Sequence, residues 1–118
     1  KTCDTVIVCF GVNDLYKIGD YEKIKDSYDR IIEILKGKEV IFQTIPPFGY
    51  PDTLVDTYYK LNDYIRGEFA KKVYSVFDET PYLSDSEKPF VAKYGGHPNE
   101  TGCKLWGERL ADFLRDKI

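Results

Sequence analysis

Three short apolar runs alternate with amphipathic helical segments along this chain, and no hairpin turn joins any two of the runs. Strands separated by helices return in the same direction, so the alternation predicts a parallel sheet with right-handed crossovers. The runs are residues 5–10 (TVIVCF), 39–45 (EVIFQTI) and 73–78 (VYSVFD). The first is continuously β-branched or aromatic through most of its length, as expected of a strand covered on both faces. Helices are expected over 21–36, 52–71 and 100–117. Ile24, Tyr28, Ile31 and Leu35 mark the 3.6-residue stripe of the first, and Leu54, Tyr58, Leu61, Ile65 and Phe69 that of the second. Asp20 is placed to cap the first helix, Gly37 to end it and Asn99 to cap the last.

The chain has 118 residues, enough for one domain spanning 1–118. A net charge of −3 with acids and bases interspersed gives no basic stripe for nucleic acid. No apolar run approaches the roughly 18 residues that span a bilayer. Three cysteines without CxxC spacing and a single histidine do not make a metal site. Neither a GxGxxG nor a Walker-type loop occurs, so no cofactor is expected. Cys3 and Cys9 would lie roughly 20 Å apart along an extended strand, too far to bridge, and the thiols are read as free and buried.

In a parallel sheet every strand-to-helix loop lies on one edge, where open α/β sheets bind ligands. The loops are 11–14, 46–51 and 79–96. Residue 97, at the end of the third and just before a helix, should share the rim of the first although it is far away in sequence.

His97 is the only histidine, so any imidazole base must be this one. The positive end of the following helix disfavours imidazolium and keeps the ring able to accept a proton. Asn13 offers an amide that can stabilise an oxyanion of acyl transfer. Gly11 allows a sharp turn and a close backbone approach. Asp14 is read as bonding the loop's own amides.

The segments VIVCFGVNDLY, VIFQTIPPFG, VFDETPYL and YGGHPNETGCKLWGERLADFL together resemble the C-terminal part of the SGNH (GDSL-type) hydrolase family. That resemblance implies a three-layer, flavodoxin-like α/β fold, of which the chain would hold three βα units without the first strands. It implies an ester hydrolase working by serine–histidine acyl transfer, with Asn13 in the oxyanion hole, His97 as base, and Gly11 and Asp14 shaping the oxyanion loop. The implied substrate is a short acyl ester, such as an acetylated carbohydrate, with the aromatic loop at 48–50 as one possible platform.

Two departures accompany the resemblance. No GDS segment with a nucleophilic serine occurs in the 118 residues, so the chain alone is expected to be inactive. Tyr94 stands where a DxxHP motif has its acid, leaving Asp78, Asp85 or Glu87 as possible partners for His97. The alternative is a pseudoenzyme that keeps the fold as a binding or scaffold protein. The chain starts at Lys1 and has no methionine, which suggests missing upstream sequence. The bared edge of the first strand is then expected to pair with that upstream fragment or with a second copy.

Overall fold

The computed structural model describes residues 4–47, 50–83 and 100–117. Among them run β1 (Thr5–Val8), α1 (Val12–Lys17), α2 (Tyr21–Ile34), β2 (Glu39–Gln43), α3 (Asp52–Arg66), a 3-10 turn (Phe69–Lys72), β3 (Ser75–Phe77), α4 (Thr80–Leu83) and α5 (Glu100–Lys117). The sheet has the order β1-β2-β3 and both pairings are parallel, as the alternation predicts. Val6 faces Val40 and Ile7 faces Ile41; on the other side of β2, Phe42 faces Val76.

Side chains alternate across a strand, so β2 presents Val40 and Phe42 to one face and Ile41 and Gln43 to the other. The first face carries α2 and α3. There Tyr28 of α2 meets Phe42 at 5.1 Å, and Phe69 meets Phe42 at 4.7 Å and Tyr28 at 5.8 Å. All three rings are fully buried, and truncating Phe42 to alanine would cost about 3–5 kcal/mol. The second face receives α5. Trp106 donates its indole N–H to Gln43 Oε1 at 2.9 Å, and Phe113 packs on Phe77 at 5.1 Å. β2 is thus central, with residues 40–43 all buried.

Several expected boundaries shift for identifiable reasons. β1 ends at Val8 rather than at residue 10, and it is not covered on both faces: Ile7 is 42% and Phe10 37% exposed. Among the described residues β1 pairs only with β2, so it forms an edge of the sheet. The second helix stops at Arg66 because Gly67 follows it, and the chain re-enters as a 3-10 turn that drives Phe69 into the core. Phe69 therefore fits the apolar stripe without belonging to the helix. Asp20 caps α2 as expected, its carboxylate accepting the Lys23 amide at 3.2 Å. α2 ends at Ile34, three residues before Gly37, which takes a positive φ of 88° in the turn. Cys9 and Cys103 are exposed, not buried. Cys9 lies just beyond the uncovered strand, which is why its apolar setting in sequence did not translate into burial.

Candidate active site

The carboxyl ends of β1, β2 and β3 lie on one sheet edge because the strands are parallel. The first rim segment is a helix start rather than a loop. Gly11 precedes α1 with φ of 133°, and Val12, Asn13 and Asp14 form its first turn. A glycine is required here for packing as well as conformation. A Cβ on Gly11 would collide with the Tyr28 hydroxyl and come within 2.9 Å of Ile45. The close approach is thus to the protein's own core.

Asn13 is exposed, and among the described residues its side chain makes no hydrogen bond. It lines a half-open cavity of about 160 Å³ together with Cys9, Phe10, Gly11, Val12 and Asp14. The buried Oδ2 of Asp14 accepts none of the surrounding amides. Its backbone carbonyl does accept, from Ile18 at 2.8 Å and Gly19 at 3.1 Å. Beside this segment, Tyr28 donates to the Phe10 carbonyl at 3.4 Å. Burial, assisted by the Asp14 charge, pushes the Tyr28 phenol well above its ordinary value, so it remains a neutral donor. Cys9 is open to solvent on one side, yet the protein crowding its sulfur raises the thiol to about 11, with Glu79 adding to the effect. A thiol so placed stays protonated at neutral pH and is a poor nucleophile.

The second rim segment is pinned by Asn62 of α3. Its amide oxygen accepts the Ile45 N–H at 2.7 Å and its amide nitrogen donates to the Ile45 carbonyl at 3.0 Å. Tyr50 donates to the Pro46 carbonyl at 2.6 Å and its ring is buried, so it is no open platform for a sugar. Phe48 lies outside the described residues. Asn62 was not singled out from sequence, although a polar residue four positions after Tyr58, on the apolar stripe, is a signal for a buried hydrogen-bonding role.

The third rim segment carries two consecutive carboxyls. Asp78 accepts from Arg66 Nε at 2.7 Å, from Thr44 Oγ1 at 2.9 Å, and from Thr80 through its N–H at 3.1 Å and its hydroxyl at 2.6 Å. Burial pushes this carboxyl up, but the bonds from Arg66, Thr80 and Thr44 outweigh it and hold the group below its ordinary value. Asp78 is therefore ionised and already engaged. Glu79 is fully buried, and neither of its oxygens has a hydrogen-bond partner at normal geometry. Burial raises its carboxyl to about 8; its own backbone and Thr44 offset this only in part, and the Asp78 charge adds to the rise. Glu79 directly follows β3, where an acid looks from sequence like a solvated loop residue.

His97, Asp85, Glu87 and Tyr94 lie outside the described residues, as does Asn99. The structure therefore brings Gly11, Asn13, Asp14, Asp78 and Glu79 to the ends of the strands without describing the expected base. Among the described residues no group of three or more histidine, cysteine or acidic side chains is arranged to hold a metal ion. No helix among them is long and apolar enough to cross a membrane.

No protein-family model, no curated protein and no solved structure matches this chain.

Proposed function

We propose that these 118 residues are the C-terminal part of an ester hydrolase of the SGNH type. The observation that carries the reading is the placement of Asn13. It is an exposed amide in the first turn after a parallel strand, beside a cavity on the sheet's carboxyl edge. The resemblance of the sequence around Gly11–Asn13 and around His97 supplies the rest.

In this mechanism a serine from a GDS segment outside these residues attacks the acyl carbonyl. His97 takes the serine proton and returns it to the leaving alcohol, and water repeats the cycle to release the acid. The Asn13 amide donates to the tetrahedral oxyanion, a contribution of about 3–4 kcal/mol per donor in well-studied hydrolases. Gly11 and Asp14 set the position of that amide. The substrate class is a short acyl ester, including acetyl groups on carbohydrate. The free edge of β1 is where the upstream strand of the same domain, or a second copy, would pair.

A fluorophosphonate probe tests this directly on the protein isolated from its source. The reading expects one labelled serine in a GDS context and loss of labelling in His97→Ala. Absence of any labelled serine would favour the second reading, a non-catalytic binding protein on the same fold. The tyrosine at position 94 and the lack of a GDS tripeptide in these residues are what favour it.

A further inference from the structure

Glu79 is completely buried with both carboxyl oxygens unpartnered, at the point where the chain turns from β3 into α4. A carboxylate there would give up its hydration for only the partial help of its own N–H and the Thr44 hydroxyl, so the group keeps its proton. The neighbouring donors are spent on Asp78. Arg66 gives it Nε and Nη2, Thr44 its hydroxyl, and Thr80 both its N–H and its hydroxyl. The Glu79 carbonyl is also in use, accepting the N–H groups of Tyr82 at 3.0 Å and Leu83 at 3.3 Å that begin α4.

Among the described residues, the titratable groups that face Glu79 are Asp78 beside it, Arg66 and Tyr58 from α3, and Cys9 from the end of β1. Three of these are acidic or neutral, so ionisation of Glu79 meets repulsion from Asp78. The one cation, Arg66, is held by Asp78 and by Asp63 at 3.4 Å.

We propose that Glu79 is a proton-dependent latch on the third rim segment: protonated, it lets the β3-to-α4 turn stay closed, and ionised, it opens that turn. An ionised Glu79 must either draw Arg66, Thr44 or Thr80 away from Asp78 or move out to water. Thr80 belongs to both alternatives, because it bonds Asp78 and begins α4. The edge of the sheet where the candidate site lies is therefore tight in mild acid and loosens as pH rises. Its carboxyl, raised to about 8, sets the window. The opened turn titrates near the ordinary glutamate value, so opening grows from roughly pH 5 to pH 8 and is flat above. The latch does not depend on the catalytic reading.

Amide hydrogen exchange of Thr80, Tyr82 and Leu83, corrected for intrinsic rates, tests it between pH 5.5 and 8.5 in wild type and in Glu79→Gln. The expected result is a fall in protection of up to about tenfold per pH unit in wild type, ending near pH 8, and no such fall in the variant. Ile41 and Phe42 of β2 should stay more protected than α4 throughout. An identical pH response in the variant, or loss of protection in α4 and β2 together, overturns the proposal. If Glu79→Gln does not fold, the carbon-13 signal of the wild-type Glu79 carboxyl decides instead. Titration below pH 5 overturns the latch, as does titration near pH 8 with pH-insensitive α4 amides. Titration near pH 8 accompanied by α4 opening supports it.

Discussion

Asp78 and Glu79 are consecutive acids that the fold treats in opposite ways: the first is bonded by Arg66, Thr44 and Thr80 and stays charged, the second is sealed without a partner and stays neutral. Both follow the end of β3 and both lie near Arg66 of α3, but the hydrogen bonds of Arg66, Thr44 and Thr80 go to Asp78 while Glu79 is sealed off from water.

Stability should depend on pH through Glu79. Its folded-state carboxyl titrates at about 8, above the ordinary value of 4.5. Between those values the unfolded chain has lost the proton that the folded chain keeps, so stability falls as pH rises through this window and levels off above it. The slope is at most about 1.4 kcal/mol per pH unit. Urea midpoints at pH 5 and pH 8 should differ more in wild type than in Glu79→Gln. Equal pH dependence in the two proteins would show that another group is responsible.

Asn62→Ala should destabilise the chain by about 1–3 kcal/mol, because it strands the buried N–H and carbonyl of Ile45. Denaturant unfolding measures the loss. Asn62→Asp should be worse than neutral as well, since an aspartate accepts the Ile45 N–H but cannot donate to its carbonyl. A loss below about 0.5 kcal/mol for the alanine variant would mean that water replaces the amide.

Among the described residues no strand pairs with the outer edge of β1, Ile7 and Phe10 are exposed, and Thr5–Val8 carries no proline or charge. The isolated 118-residue chain should therefore associate through that edge. Light scattering should give a mass above 13.7 kDa, and Ile7→Lys should shift the mass down to the monomer without unfolding. A monodisperse monomer for the wild-type chain would contradict this.

The parallel direction of the strands was legible because helices alternate with them and no hairpin joins them, and the buried faces of the helices were legible from periodicity. Ile24, Tyr28, Leu61 and Ile65 fall on predicted stripes and are fully buried. What periodicity does not report is position within the sheet. The run at 5–10 and that at 39–45 look alike in composition, yet only the second is central, so Ile41 is sealed while its partner Ile7 is open. The rim segment at 11–14 was legible as a turn after a strand, but not as the first turn of a helix, since that depends on Gly11 fitting against Tyr28 and Ile45. Glu79 was missed for a related reason: an acid after a strand normally reads as solvated, and only the packing around it removes the water.

The proposed acyl transfer at the rim is tested by hydrolysis of 4-nitrophenyl acetate by the protein isolated from its source. Wild type should turn the ester over, His97→Ala should abolish turnover, and Asn13→Ala should lower kcat by about 10²–10³-fold with the fold retained. No turnover by the wild-type protein, or turnover undiminished in His97→Ala, would contradict the assignment.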